Sequence, residues 1–392
     1  MDPHITEWLN LAVRWAHMIA GIAWIGASFY FNWLENHLDR SKPREGLSGD
    51  LWAIHGGGIY HLEKYKLAPP KMPETLHWFK WEAYATFLTG FFLLAVVYYL
   101  NAQLYLVAPG SDMSSGVAIA ISIGSLIAGW FIYTALCDSA LGKKPALLAA
   151  ILFVLLIVAA WGFSQVYSGR GAFIHVGAII GTIMVGNVFR VIMPAQRALV
   201  GAIEAGKEPD PALPAKGLLR SRHNNYFTLP VLFIMISNHF PSTYGHEYNW
   251  AVLAALGVLS VLARHYFNTR HQSQKYAWTL PATAFGMIAL AFVVAPQKTL
   301  QSETQQVSFE QVEQVISERC TVCHSATPSY AGFSTAPAGI ILDKPEQMKT
   351  LSPQIHAQSI ATQAMPLGNI TQMTQQERDI VATWISKGAP IH

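Results

Sequence analysis

Near the carboxyl end, Cys320-Thr321-Val322-Cys323-His324 forms a Cys-x-x-Cys-His motif. This is the attachment pattern of c-type haem. Two thiols one helical turn apart can form thioethers to two porphyrin vinyl groups, and the next imidazole then lies beneath the ring to ligate iron. A methionine as sixth ligand raises the potential. Met365, 41 residues on in Ala364-Met365-Pro366-Leu367-Gly368-Asn369, is the candidate; neither Met348 nor Met373 lies in such a turn. A redox dithiol would not need the adjacent His, and a structural zinc site would need a second Cys pair, which is absent. Cys137 reads as a buried thiol. Phe309–Arg319 is predicted as a helix entering the motif, and Gln375–Lys387 as a closing helix with Trp384 on its apolar face.

Two further groups of residues invite chemistry. Arg14, His17, Gly21, Trp24 and Ser28 recur at 3–4 spacing and form one helical stripe. His175, Thr182 and Gly186 share a face of a later segment, with Asn187 and Arg190 near its end, and Asn238-His239 closes another. Ionisable groups inside a bilayer are costly and often functional. His17, His175 and His239 therefore leave open a second haem, of b type, or another metal; hydrogen-bonded packing histidines are the alternative. The other group runs His55-Gly56-Gly57-Gly58-Ile59-Tyr60-His61, then Lys64-Tyr65, and later Trp81-Glu82. Glycines let backbone N–H groups approach a ligand, and basic and aromatic side chains suit a flat anion. An ordinary interfacial belt of Trp, Tyr and Lys is the competing explanation.

The composition shows what must position these residues. Of 392 residues, 52% are hydrophobic and only 12% charged, about half the charged share of a soluble domain. The chain is neither disordered nor a single soluble globule. Net charge is +3, too small to suggest nucleic acid. A helix needs about 20 apolar residues to cross a bilayer. Eight segments are candidates: Leu9–Phe31, Tyr84–Leu106, Val117–Cys137, Ala146–Phe163, Ala172–Met193, Phe227–Phe240, Trp250–Tyr266 and Tyr276–Val294. The expected fold is all-α: a membrane domain at 1–296, a polar linker at 297–306, and a small class I-like cytochrome c domain at 307–392. Residues 301–392 hold 5 Lys+Arg against 8 Asp+Glu. The first, third, fifth and seventh connections carry 17 Lys/Arg; the others, with residues 1–8, carry only Arg170. By the positive-inside rule the basic loops face the cytoplasm. Both termini, and the motif with them, are then periplasmic at a bacterial inner membrane. That is where cytochrome c assembly occurs, and the charge count reaches it independently of the motif.

The stripe from His17 to Ser28, the His55–Tyr60 segment, Leu76–Tyr84 and Leu229–Phe240 resemble the bacterial membrane-bound urate hydroxylases, which carry eight membrane helices fused to a C-terminal cytochrome c. The resemblance covers essentially the whole chain. The His-Gly-Gly-Gly and Ser-Asn-His-Phe-Pro segments are distinctive, whereas Cys-x-x-Cys-His alone says only cytochrome. The stripe is also similar, more weakly, to membrane haem proteins of the protoporphyrinogen-oxidase type. The Met365 turn reads Met-Pro-Leu-Gly where many cytochromes c have Met-Pro-Pro-Gly; the ligand itself is unaffected.

The resemblance implies oxidation of urate to 5-hydroxyisourate in purine breakdown, with electrons leaving through one covalent haem c to the respiratory chain, through a soluble cytochrome or a terminal oxidase. It carries over no assigned catalytic residue. From the residues alone, His55, Tyr60, His61 and Glu82 are the candidate catalytic groups, and Lys64, Trp81, Asn187 and Arg190 the candidate substrate contacts. A bilayer core of roughly 30 Å makes an intermediate carrier attractive for a substrate site on the cytoplasmic side; with one haem alone, the active site is expected near the outer face. The competing classes are a non-catalytic electron-transfer subunit serving another dehydrogenase, and a transporter with a regulatory cytochrome.

Overall fold

The computed structural model describes residues 2–295 and 307–391, and it is mostly helical. The expected linker at 297–306 lies outside the described residues. Helix α1 (Pro3–His37) starts where the Asp2 carboxylate accepts the amide N–H of His4 at 2.8 Å, the usual N-cap arrangement. Strands β1 (Leu47–His55) and β2 (Gly58–Tyr65) form an antiparallel hairpin. Helix α2 (Trp81–Leu94) runs through a π-type turn at Ala95–Tyr99 and is followed by the short α3 (Ala102–Tyr105). Then come α4 (Ser115–Asp138) and α5 (Pro145–Val166). Helix α6 (Gly169–Gly186) passes through a π segment at Asn187–Ile192 into α7 (Met193–Glu204). Helices α8 (Ala212–Ile236), α9 (Pro241–Tyr244), α10 (Asn249–Thr269) and α11 (Thr279–Val293) complete the bundle.

Among the described residues, six helical stretches are long and apolar enough to cross a membrane: Trp81–Tyr99, Ser115–Asp138, Pro145–Val166, Gly169–Glu204, Asn249–Thr269 and Gln274–Val293. Six of the eight expected spans stand out in this way; the first and the sixth do not. Long helices stand there, α1 and α8, but they carry Arg14, Asn32, Arg220, Asn224 and Asn225 and fall short in apolarity. The α6–α7 stretch is more than half buried and occupies the centre, whereas Gln274–Val293 lies at the edge. The bundle core joins Tyr98, Leu106, Tyr133, Leu148, Phe173, Ile180 and Ile234.

Beside the helices that the all-α expectation called for, the described residues include one two-stranded hairpin. Gly56 and Gly57 have φ of +59° and +80° between the paired residues His55 and Gly58. Two consecutive positive φ values make a two-residue turn of the kind that matches strand twist, and glycine adopts them without strain. The glycine run is thus used by the turn.

The C-terminal unit contains α12 (Phe309–Arg319), α13 (Pro345–Thr350), α14 (Ser352–Ile355) and α15 (Gln375–Ser386). Capping boxes at Ser308/Gln311 and Thr374/Glu377 start its two main helices. Its own core gathers Val312, Ile316, Leu342, Met348, Met373, Val381 and Trp384. Trp384 is 1% exposed, and its indole N–H donates to the Pro390 carbonyl at 2.8 Å.

Candidate functional site

The Cys-x-x-Cys-His turn leaves the end of α12 directly. The amide N–H of Cys320 still donates to Ile316 O at 2.8 Å, and that of His324 donates to Cys320 O at 2.8 Å. One helical turn therefore separates the two thiols, and the His324 ring follows on the same loop. Its Nδ1 lies 3.2 Å from the Ile340 carbonyl oxygen. A carbonyl can only accept, so Nδ1 carries the proton and Nε2 keeps a free lone pair. Burial lowers the His324 pKa, which favours that neutral ring, and the Ile340 bond opposes it in part. Burial also pushes the Cys320 thiol up to about 12 and raises that of Cys323. Both cysteines are free and half-buried.

Three methionines lie in the same unit as His324. Met348 and Met373 are 2% and 4% exposed and belong to the unit's apolar core. Met365 is half-buried on a loop, and Arg378 donates to its carbonyl at 2.8 Å. Only Met365 has a thioether not already spent on core packing.

The Met365 loop rests on the bundle. Ala364 packs against the bundle core, and Gly368 lies against the Leu104 carbonyl of α3. Beside this seat, the Arg170 guanidinium lies 4.8 Å from the Tyr105 ring and 5.7 Å from that of Tyr98. Tyr98 OH donates to Asn238 Oδ1 at 3.3 Å. The C-terminal unit thus sits at the bundle end formed by α3, α9 and the start of α6, where the connections are poor in Lys and Arg.

The three histidines expected to share a second cofactor have separate surroundings. His17 Nδ1 contacts Thr86 O at 3.0 Å and Thr89 Oγ1 at 3.1 Å. His175 is fully buried; Nδ1–H donates to Gly171 O at 2.7 Å, and Nε2 accepts from Ser122 Oγ at 2.6 Å. Tyr99 OH lies 2.7 Å from the same Ser122 oxygen. His239 is exposed at the end of α8. Among the described residues, no group of three or more His, Cys, Asp or Glu side chains is placed to hold a metal ion.

At the opposite end of the bundle, the expected substrate residues are also spread out. His55 stands exposed beside the hairpin turn, with Tyr60 on the partner strand. His61 Nε2 bonds Asp50 Oδ2 at 2.7 Å, and its ring stacks on Trp52 at 4.2 Å. Lys64 pairs with Glu35 of α1 at 2.5 Å. Trp81 is 67% exposed, and Glu82 lies in the first turn of α2 with Oε2 buried and unbonded. Arg190 is exposed, lying over the Phe189 ring. Asn187 is fully buried: its Nδ2 donates to Tyr133 OH and Asn224 Oδ1, both at 2.9 Å. Tyr133 OH in turn donates to His223 Nδ1 at 2.8 Å.

Sequence reasoning missed a second polar cluster at this end. Asn225 Oδ1 accepts from Arg264 Nε at 3.0 Å and from Asn268 Nδ2 at 2.6 Å, and Asn32 Nδ2 donates to Asn268 Oδ1 at 3.3 Å. The Arg264 guanidinium lies 4.1 Å from the Phe29 ring centroid. The i, i+4 spacing of Arg264 and Asn268 on one helix was the available signal.

Fold and sites together define a helical protein of membrane-length spans with a Cys-x-x-Cys-His turn in a C-terminal unit that has its own core. Residues 3–295 match the urate oxidase N-terminal family, and the chain belongs to that family. No curated protein and no solved structure matches the chain.

Proposed function

We propose that this protein is a membrane-bound, cytochrome-linked urate hydroxylase that oxidises urate to 5-hydroxyisourate in purine degradation. The observation that carries the reading is the family match over residues 3–295 on a chain whose next unit bears Cys320, Cys323 and His324. The donor set suits a covalent haem c: two half-buried thiols one turn apart, an imidazole with Nε2 free, and Met365 outside the packed core. Cys320 and Cys323 would hold the porphyrin, and His324 and Met365 the iron. Bound there, the haem would accept electrons one at a time.

Urate gives up two electrons on conversion to 5-hydroxyisourate. With those electrons leaving the chain, urate and water balance against 5-hydroxyisourate, two electrons and two protons. Eight crossings, with α1 and α8 added to the six clear spans, put the C-terminal unit on the side of the weakly basic loops, the periplasm. The seat of the Met365 loop on α3 supports an electron exit at that face, towards a soluble cytochrome or a terminal oxidase. His17, whose Nε2 is free when Nδ1 donates to Thr86, is the residue best suited to a b-type haem between the two ends.

Anaerobic addition of urate to the purified protein tests the reading. The expected result is reduction of a haem counted as c-type by its pyridine haemochrome, with 18O from labelled water in the product. Haem that stays oxidised under urate alone would instead mark a non-catalytic electron-transfer subunit.

A further inference from the structure

A cavity of about 250 Å3 opens at the bundle end remote from the C-terminal unit, where α1, α8 and α10 meet. Phe29, Asn32, Trp33, Arg264 and Asn268 form the part of its lining that bears on recognition. Charge, shape and edge chemistry point to one kind of occupant.

Arg264 is 6% exposed, and no described carboxylate pairs with it. Its Nε is held by the neutral Asn225 carboxamide. A buried guanidinium without a counter-charge is costly, so the cavity favours an anion. The Phe29 ring beneath the guanidinium and the Trp33 indole on the same wall favour a flat one. The Asn32–Asn268 bond at 3.3 Å is long and readily exchanged. Carboxamides present a donor and an acceptor in one plane, the pattern that matches the N–H and C=O edge of a lactam. A few placed polar groups in an otherwise apolar pocket is the usual make-up of a small-molecule site.

We propose that this cavity binds a planar oxopurine anion of the urate class, with Arg264 balancing its charge and Asn32 and Asn268 engaging its lactam edge. The proposal rests on the urate reading above and adds the residues that recognise the substrate. It keeps substrate binding at the bundle end expected from sequence, and moves it from the hairpin to the junction of three helices.

The test uses the full-length protein with its haem, measuring radiolabelled urate binding at equilibrium and the urate concentration that half-saturates haem reduction. Arg264→Gln should weaken both by about tenfold or more, the usual scale for loss of a charged hydrogen bond. Arg264→Lys should recover part of the loss, and Asn32→Ala should weaken binding by a smaller factor. Haem content and dithionite reduction should stay unchanged. Asn32→Ala keeps the test open if Arg264→Gln does not fold, because it removes only two neutral side-chain bonds, to Asn268 at 3.3 Å and from Asn36 at 3.1 Å. Wild-type affinity in folded variants, while urate still reduces the wild-type haem, overturns the cavity and leaves the function standing. Absence of urate binding and of haem reduction in the wild type overturns both. A phospholipid retained by the wild type, lost in Arg264→Gln and not displaced by urate would make this a lipid phosphate site and overturn the proposal as well.

Discussion

Gly368 packs so closely on α3 that a Cβ built on it would lie 3.2 Å from the Leu104 carbonyl oxygen. This contact seats the Met365 loop on the bundle. The residue is also left-handed, with φ +60°, a conformation costing an L side chain about 1–2 kcal/mol. Gly368→Val should therefore loosen the seat. Urate-driven haem reduction should slow in stopped-flow measurements while dithionite reduction keeps its rate; equal slowing of both would point to damage within the C-terminal unit alone.

Of the three methionines in the C-terminal unit, only Met365 lies outside its packed core, which makes it the proposed iron ligand. Met365→His should lower the midpoint potential, because thioether ligation raises it relative to imidazole. It should also abolish the charge-transfer band of methionine-ligated ferric haem. Met348→Leu and Met373→Leu should leave potential and band in place and show up only in stability, by less than about 1.5 kcal/mol each. A potential that moves with Met348 or Met373 would reassign the ligand.

Ser122 links Tyr99 to His175 in the bundle core. Ser122→Ala leaves the fully buried Nε2 of His175 unsatisfied, at a cost of about 1–3 kcal/mol. The detergent-solubilised protein should melt earlier, with its haem count unchanged. Loss of a b-type spectrum in this variant would show instead that His175 serves a cofactor.

Arg319 clamps Glu377, with Nε and Nη2 at 2.9 and 2.8 Å from Oε1. Burial works against the charged carboxylate, but the hydrogen bonds from Arg319 and Thr374 outweigh it and hold the Glu377 pKa below its usual value. A depressed carboxylate adds stability that is fully present above the unfolded value, about 4.3, and is lost as pH falls through the folded value. Thermal unfolding followed across that window should show wild type losing more stability on acidification than Glu377→Gln. Parallel curves would remove Glu377 from the acid response.

The apolar spans were legible because their signal is local, set by composition over about 20 residues. Phe309–Arg319 emerges with the predicted ends because its capping box and its 3–4 pattern agree. The sixth expected span, placed from Phe227 or from near Asn224, marks only the apolar part of α8, which begins at Ala212 and carries Arg220, Asn224 and Asn225 inside the bundle. Asp138 takes one Arg220 nitrogen, Met184 O takes the Asn224 amide and Arg264 donates to Asn225, and such partners cannot be seen from one segment. The Gly56-Gly57 pair is ambiguous from sequence in a different way, since a ligand cradle and a tight turn call for the same residue, and the structure shows the turn. The cavity escaped notice because Asn32 and Asn268 are 236 positions apart and meet only when α1 packs beside α10.

The cavity and the Cys320–His324 turn stand at opposite ends of the bundle. On the proposed route, an electron passing from one to the other would move through most of the transmembrane electric field, which is worth about 2.3 kcal/mol per charge for every 100 mV. Turnover along that proposed route would be electrogenic, so membrane voltage would enter the driving force beside the redox potentials, and an energised cell and a detergent micelle would run the same chemistry at different rates.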